Sequence, residues 1–225
     1  EIGSGLVGSE MCIRDSYRIV PLADYEPDIL YQKQVEAYYA DPGLNKPVGR
    51  FGNAADKWGL ANWMAAAVAD EADADVGFYH IGGVRLDSIP AGGVSAAKVY
   101  GLEPFGTLVA RMEMTPAQMR RMIVSKYNDP VNAKEAHRID LISTTPYVIV
   151  TDAADNALDV QFPKLREGRK YKVAVSDYIY RNYKDMEYTG GEITVEKVAD
   201  ILLEELRDDS PLKIDNTPRQ RVVRK

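Results

Sequence analysis

The stretch Val76-Gly77-Phe78-Tyr79-His80-Ile81-Gly82-Gly83-Val84-Arg85 is the part of the chain that most narrows its fold. Its compact apolar start predicts a buried strand. Two glycines follow the strand and allow the backbone to approach a ligand, because no Cβ intervenes. The arginine then offers a planar fork of donors for phosphate or carboxylate. The residues alone leave two interpretations open: an anion-binding turn, or a tight turn with Arg85 on the surface.

Regular secondary structure is predicted on both sides of this stretch. From Asp56 onward, apolar residues recur at helical spacing and form one stripe. The stripe comprises Leu60, Trp63, Met64, Ala67 and Val68. Residues 89–93 are predicted to form a loop, and residues 95–100 a short helix. Thr107 to Met114 alternates as a strand does, and Thr115-Pro116-Ala117-Gln118 is a capping box that starts another helix.

The second half of the chain is richer in strands. Tyr147 to Val150 and Leu158 to Phe162 predict a hairpin that turns near Asp155-Asn156, and Tyr171 to Val175 predicts a further strand. Thr194 is predicted to cap a final helix. The apolar stripe of that helix comprises Val195, Val198, Ala199, Leu202 and Leu206. This order of elements predicts a mixed α/β (α+β) fold in a single layered domain, rather than a doubly wound Rossmann sheet.

The first residues of the chain are expected to lie outside this domain. Residues 1–16 resemble a translated sequencing adapter and lack the basic and apolar regions of a signal peptide. Cys12, the single cysteine, is therefore expected to be non-native. Residues 17–45 are predicted to be a linker segment with a helix from Asp28 to Ala40. The candidate buried positions of that helix are Ile29, Val35 and Tyr38.

The domain itself is predicted to span residues 46–215. It opens with Lys46 to Arg50, whose proline and glycine favour an extended connector over a helix. Residues 216–225 are predicted to be a basic tail, of which Arg219 to Lys225 frays in solvent. His137 lies in a charged segment and is expected to be solvated.

Composition excludes several classes of protein. The chain has 225 residues, of which 45% are hydrophobic and 28% charged, as in ordinary globular domains. A formal net charge of −6 argues against a general nucleic-acid partner. No run of about 18 apolar residues is present, so no membrane span is expected. One cysteine excludes an internal disulfide framework.

Several motifs between about residues 46 and 188 resemble the C-terminal domain of the 5'-nucleotidase family, which includes UDP-sugar hydrolases and 2',3'-cyclic-nucleotide phosphodiesterases. In that family the order is a strand ending in N-G-G-G-I-R, then I-P-A-G, L-P-F-G, L-T-G-x-Q and Y-x-V-A-x-N-D-Y/F. The corresponding segments here are Gly82-Gly83-Val84-Arg85, Ile89-Pro90-Ala91-Gly92, Glu103-Pro104-Phe105-Gly106, Met114-Thr115-Pro116-Ala117-Gln118 and Tyr171-Lys172-Val173-Ala174-Val175-Ser176-Asp177-Tyr178. The resemblance implies the mixed α/β fold of that domain.

The resemblance also implies a substrate-binding site. Arg85, after Gly82 and Gly83, would face the phosphate of a nucleotide. Phe105 and Tyr178 would stack on the two faces of the base. Such stacking contributes about 1–3 kcal/mol per base and tolerates many bases. Ordinary core packing is the alternative interpretation of the two aromatic rings.

Three positions depart from the family pattern. His80 replaces the family's asparagine, and two interpretations stay open: a hydrogen-bonding group, or a neutral buried core residue. Arg50 is the candidate for the family's second arginine, with a spacing to Gly59 that differs by about two residues. The family's N-G-G-D-G-F/Y segment, whose aspartate binds ribose, is absent after Tyr178. Asp185 would take the ribose role only with a shift of one residue.

The resemblance implies that the chemistry lies in another domain. Phosphoester hydrolysis in the family uses two divalent metal ions, held by D-x-H, G-N-H-E and G-H-x-H strings. None of these strings occurs in this chain, which has two histidines. We therefore predict no catalytic residues, no metal site and no cofactor in this chain. The metals are expected in a metallophosphoesterase domain, in cis or in trans.

Two main functional hypotheses follow. In the first, the chain binds a nucleotide and positions it for the phosphoesterase domain, without activity of its own. In the second, it is a non-catalytic binding module for another phosphorylated or sulfated ligand. A purely structural domain is a third possibility. A periplasmic or cell-surface location is implied by the family resemblance alone.

Overall fold

The structure is a computed structural model that describes residues 21, 23, 25–40, 42–134 and 138–225. The predictions for residues 1–16, including Cys12, and for His137 lie outside the described residues. The chain divides between residues 41 and 42 into two units.

The helix predicted before the domain is confirmed, and it belongs to the first unit. Helix α1, Ile29–Tyr39, begins after Asp28, whose carboxylate accepts hydrogen bonds from the amides of Leu30 (2.9 Å) and Tyr31 (3.3 Å). The prediction of buried positions was wrong. The side chains at the three predicted positions are exposed: Ile29, Val35 and Tyr38. The apolar residues of α1 do not lie on one narrow face of the helix, so its sequence has no apolar stripe that would predict burial.

The second unit contains the remaining elements. Its helices are α2 Pro42–Asn45, α3 Lys57–Glu71, α4 Ala96–Leu102, α5 Pro116–Tyr127, α6 Asp177–Asn182 and α7 Val198–Asp208. Its strands are β1 Pro47–Phe51, β2 Ala55–Asp56, β3 Val76–His80, β4 Ser88–Ile89, β5 Gly92–Ser95, β6 Leu108–Met114, β7 Leu141–Ser143, β8 Tyr147–Thr151, β9 Ala157–Gln161, β10 Tyr171–Ser176, β11 Thr189–Lys197 and β12 Gln220–Arg224. The mixed α/β fold is thereby confirmed.

A five-stranded sheet with the order β11-β6-β10-β3-β7 forms the middle layer. β10 and β3 are parallel neighbours, and the other pairs are antiparallel. Alternation along β10 sends Val173 and Val175 to one core and Ala174 to the other. Gly77 in β3 allows α3 to lie close to the sheet, since a Cβ there would be 2.1 Å from the carbonyl oxygen of Ala65.

The two faces of this sheet are covered differently. Helices α3, α4 and α7 supply most of the core on one face, including Leu60, Met64 and Leu202. On the other face, α5 packs with Met119 and Met122 beside the three-stranded sheet β12-β8-β9. Two short antiparallel pairs, β1 with β5 and β2 with β4, complete the unit.

Most predicted elements occur where the sequence placed them. The capping box at Thr115 is present in both directions, with Gln118 as its partner. The hairpin is β8 with β9, and the predicted connector is strand β1. The predicted loop at residues 89–93 is shorter than expected, because β4 and β5 occupy its two ends.

The prediction of the last helix began too early. Thr194 and Val195 belong to β11, which pairs with β6. Helix α7 starts at Val198 after Lys197, which provides no side-chain cap. Val195 is exposed, whereas Val198, Ala199, Leu202 and Leu206 are buried as predicted. Thr194 and Val195 lie between Ile193 and Lys197, which pair with β6, so β11 extends past the predicted cap.

The basic tail does not fray. Gln220–Arg224 forms β12 and pairs in parallel with β8. The side chain of Gln220 is buried, and its amide nitrogen donates to the carbonyl oxygens of Ser143 (3.1 Å) and Thr145 (3.4 Å). Apart from the adjacent valines Val222 and Val223, this segment is polar or basic, so it has no alternating pattern that would predict a strand.

Candidate functional site

A cleft lies where two parallel strands end. β3 finishes at His80 and continues into a 3₁₀ turn, Ile81–Gly83, while β10 finishes at Ser176 and continues into α6. Neighbouring parallel strands have their carboxyl ends at the same edge of a sheet, which is a common position for ligand sites. The cleft has a volume of about 780 Å³. Small-molecule sites typically measure about 300–1,000 Å³.

The cleft brings together five of the eight predicted site residues. They are His80, Gly82, Arg85, Phe105 and Tyr178. The other three do not line it. Gly83 is buried beside His80. Arg50 lies in β1 opposite Gly93, with its backbone amide bonded to the Ser210 hydroxyl at 2.8 Å.

The third residue outside the cleft is Asp185. Its backbone has φ +56°, and its carboxylate accepts a hydrogen bond from the Ser125 hydroxyl at 2.6 Å. Asp185 is not among the described residues that line the cleft. The described lining of the cleft instead includes Asn182 from the C-terminal end of α6.

Arg85 differs from the other cations that line the cleft. Lys57 pairs with Asp87 at 3.1 Å, Arg181 with Asp177 at 3.3 Å and Lys126 with Asp140 at 3.8 Å. In the described part of the chain, the ion pairs include no partner for Arg85. Its Nη1 donates to the carbonyl oxygen of Gly82 at 3.3 Å, and its guanidinium carbon lies 5.8 Å from the centre of the Phe105 ring.

The two aromatic residues of the predicted clamp are not core residues. Phe105 is 61% exposed and Tyr178 is 48% exposed. Large aromatic side chains are usually mostly buried, so two exposed rings in one cleft are notable. One backbone hydrogen bond links Arg85 to the end of α4, three residues before Phe105: the amide of Arg85 donates to the carbonyl oxygen of Leu102 at 3.0 Å.

His80 lies in a stack of three rings. Its imidazole is 4.5 Å from the ring of Tyr178 at 24° and 5.3 Å from the ring of Tyr79 at 23°. Its Nδ1 lies 3.4 Å from the Ser176 hydroxyl. Burial, and secondarily the charge of Lys126, lower the pKa of His80 to about 4. The ring is therefore neutral at neutral pH, and it both lines the cleft and supports Tyr178.

Sequence reasoning missed a polar cluster at the other side of the cleft. The Tyr183 hydroxyl donates to the carboxylate of Asp140, and the Lys126 ammonium lies 5.0 Å from the centre of the Tyr183 ring. Burial and the nearby Asp140 raise the pKa of Tyr183. Lys126 lies at the end of α5, Asp140 immediately precedes β7, and Tyr183 immediately follows α6. No local sequence pattern could have connected them.

Among the residues that the structure describes, no group of three or more His, Cys, Asp or Glu side chains is placed to hold a metal ion. In the same residues, no helix has the length and apolarity needed to cross a membrane.

These features define a mixed α/β domain with a cleft of small-molecule size at the carboxyl ends of its parallel strands. The family described as "5'-nucleotidase, C-terminal domain" matches residues 44–189. The match covers more than half of the chain, so this chain belongs to that family. The resemblance noted from the motifs is confirmed. No curated protein matches the sequence.

Solved structures show the same fold at low identity. The 5'-nucleotidase precursor of Thermus thermophilus has a TM-score of 0.69 and 17% identity, over 88% of this chain and 44% of its own. The NAD nucleotidase of Haemophilus influenzae has a TM-score of 0.64 and 14% identity, over 89% of this chain and 42% of its own. The sulfate thiohydrolase SoxB of Thermus thermophilus has a TM-score of 0.60 and 16% identity, over 92% of this chain and 41% of its own. The chain thus spans less than half of the length of each of these proteins.

Proposed function

We propose that this chain binds a nucleotide and positions its phosphate for a metallophosphoesterase domain, in cis or in trans. The observation that carries the proposal is the cleft that combines Arg85 with two exposed aromatic rings. An arginine without a carboxylate partner is available for a bidentate contact with a phosphate. Exposed rings at the same cleft are available for a base.

The geometry supports this assignment over a structural role. An exposed phenylalanine and a half-exposed tyrosine lose stabilisation that burial would provide, at about 25 cal/mol per Å² of apolar area. Tyr178 is held from behind by His80, so one face of its ring is already covered. The Tyr183 ring also contacts it edge-on at 6.2 Å and 81°, and 48% of the Tyr178 side chain remains exposed for a planar ligand. Three paired cations around the cleft leave Arg85 as the natural anchor for an anion.

The hydrolytic step is assigned to the metal-bearing domain. Two divalent ions there would polarise the phosphoryl oxygens and provide hydroxide near neutral pH. The residues of this chain would bind and orient the substrate, and no catalytic residue is assigned to them. The partner, the bound nucleotide and a periplasmic or cell-surface location all rest on family membership.

A second candidate is a binding module for another phosphorylated or sulfated ligand. It is favoured by Asp185, which lies outside the cleft and is engaged by Ser125. Ribose hydroxyls would therefore lack the acidic partner that the family pattern implies. The fold likeness to a sulfate thiohydrolase is compatible with a sulfur oxyanion at the Arg85 position. Both candidates share Arg85 as the anion anchor and differ in the role of the aromatic rings.

A crossed calorimetric titration tests the proposal. AMP and adenosine are titrated into the wild-type chain, Arg85→Ala and Phe105→Ala. Loss of Arg85 should lower the affinity for AMP by about tenfold or more, because hydrogen bonds to charged groups contribute about 1.5–3 kcal/mol. Adenosine has no phosphate, so Arg85→Ala should leave its affinity unchanged. Phe105→Ala should weaken both ligands by about fivefold or more.

Matched controls come from the same cleft. Arg181→Ala removes a cation that is already paired, and Val131→Ala trims an exposed apolar side chain that is not aromatic. Both should change AMP affinity by less than about twofold. If the wild-type chain does not bind AMP or adenosine at millimolar concentration but binds simple phosphate or sulfate esters, the second candidate function replaces the first.

A further inference from the structure

The loop that carries Phe105 contains a buried carboxylate with an unusual environment. Glu103 is 1% exposed and is the residue that follows α4. Its Oε1 accepts hydrogen bonds from the Thr107 hydroxyl at 2.5 Å and from the Phe105 amide at 3.3 Å. Its Oε2 is buried and has no hydrogen-bond partner among the described residues.

A carboxylate in this position is costly to stability. A buried acceptor without a partner loses its hydration and gains nothing in exchange. An apolar side chain of similar size would pack there without that cost. A polar group that is retained under such conditions often serves geometry or function. The geometry that Glu103 fixes is that of residues 103–107, because both of its hydrogen bonds close this loop on itself.

Phe105 needs such a device because packing does not hold its ring. The side chain is 61% exposed, and the next residue, Gly106, has a left-handed backbone with φ +64°. An exposed ring on a loop that includes a left-handed glycine takes its position mainly from the loop backbone. The Phe105 amide is one of the two groups that Glu103 binds. The conformation of the loop therefore sets the position of the Phe105 ring.

We propose that Glu103 is a positioning residue that sets the Phe105 ring for stacking against the base of the ligand. Glu103 does not reach the ligand and acts through the loop. The backbone hydrogen bond from the amide of Arg85 to the carbonyl oxygen of Leu102 ties the end of α4, immediately before this loop, to the anion anchor. Phe105 and Arg85 are thus held in one arrangement before the ligand binds. The ligand part of this inference rests on the proposed nucleotide binding.

A ligand-free measurement tests the loop directly. The chain has four phenylalanines, of which Phe51, Phe78 and Phe162 are buried. Fluorine NMR of the chain labelled with 4-fluorophenylalanine should give a Phe105 resonance that is assigned by its loss in Phe105→Ala. Glu103→Leu should shift or broaden that resonance and leave the other three in place. Glu103→Gln keeps an acceptor oxygen and should resemble the wild type.

Ligand titrations then test the consequence. Glu103→Leu should lower the affinity for AMP by about fivefold or more, which approaches the effect of Phe105→Ala. The affinity for inorganic phosphate should change by less than about twofold, because Arg85 is retained. In the Phe105→Ala background, Glu103→Leu should cause no further loss of AMP affinity, as expected for residues that act through one another. Glu103→Gln should restore AMP binding.

Several outcomes would overturn the inference. An unchanged Phe105 resonance in Glu103→Leu would show that the carboxylate does not fix the ring. An equal loss of AMP affinity with and without Phe105 would show that Glu103 acts elsewhere. If Glu103→Leu does not fold, Thr107→Val removes one donor to the carboxylate and is expected to give the same changes at smaller size. Failure of the wild type to bind AMP would reject the proposed function, while the fluorine spectra would still decide the role of Glu103.

Discussion

Adding one methyl group at Gly83 should destabilise the protein by displacing His80 from its stack. A Cβ at this position would lie 2.5 Å from Cε1 and 2.7 Å from Nε2 of His80, and 3.0 Å from Cε1 of Tyr79. The imidazole cannot move aside freely, because Tyr178 and Tyr79 cover it. The added methyl group must therefore push the ring, the turn or both.

The size of the effect follows from two opposing contributions. Overpacking a well-filled region costs about 1–3 kcal/mol. Replacing glycine by alanine also restricts the unfolded chain and returns about 0.4–1 kcal/mol. Gly82 provides the matched control, since its added Cβ would have its nearest heavy atom, His80 Cδ2, at 3.9 Å. The unfolded-state contribution is nearly the same for both glycines, so their difference isolates the contact.

Urea denaturation of the two variants measures that difference. Gly83→Ala should have a free energy of unfolding about 1–3 kcal/mol lower than Gly82→Ala, at an unchanged dependence on urea. Gly82→Ala should be as stable as the wild type or slightly more stable, because its added methyl group meets no close neighbour. Equal stabilities of the two variants would refute the reasoning, because they would show that the His80 stack yields without cost.

Three further predictions concern other parts of the fold. His80 should stay neutral down to about pH 4. Lowering the pH from 6.5 towards 4 should therefore reduce the free energy of unfolding by up to about 3 kcal/mol, because the unfolded state binds the proton first. NMR titration of the ring checks the pKa, and His80→Phe should remove this part of the pH dependence. Thr115→Ala should cost about 1 kcal/mol in urea denaturation through loss of the helix cap, whereas Thr194→Val should cost less than about 0.5 kcal/mol, because the Thr194 hydroxyl is buried without a partner among the described residues. Deletion of residues 220–225 should lower the melting temperature by about 4–8 °C, the equivalent of about 2 kcal/mol in a domain of this size, and an unchanged melting temperature would show that β12 contributes nothing to stability.

The elements with strong local patterns were predictable from the sequence. The apolar stripe of α3, the alternation of β6 and the capping box at Thr115 each specify a structure through neighbouring residues alone. The motif order also indicated the family, which the match over residues 44–189 confirmed. Five of the eight residues named from these motifs line one cleft in the structure.

Elements that depend on distant partners were not predictable in this way. The basic segment of β12 is a strand because β8 offers a parallel edge, about 70 residues earlier in the chain. Thr194 lies in a strand because residues on either side of it, Ile193 and Lys197, pair with Ala110 and Leu108 of β6. Local composition describes what a segment prefers by itself, and strand pairing depends on what lies beside it.

The sequence by itself determined the residue types of the site: an arginine after two glycines, two aromatic rings and a histidine in place of an asparagine. Only the tertiary structure decided how they act together. It left Arg85 without a carboxylate partner among the described ion pairs, exposed Phe105 and placed His80 behind Tyr178. It also moved Arg50 and Asp185 away from the cleft and brought in Lys126, Asp140 and Tyr183. The physical reason is that burial, charge pairing and ring stacking depend on contacts between segments far apart in the chain, which the order of residues does not state.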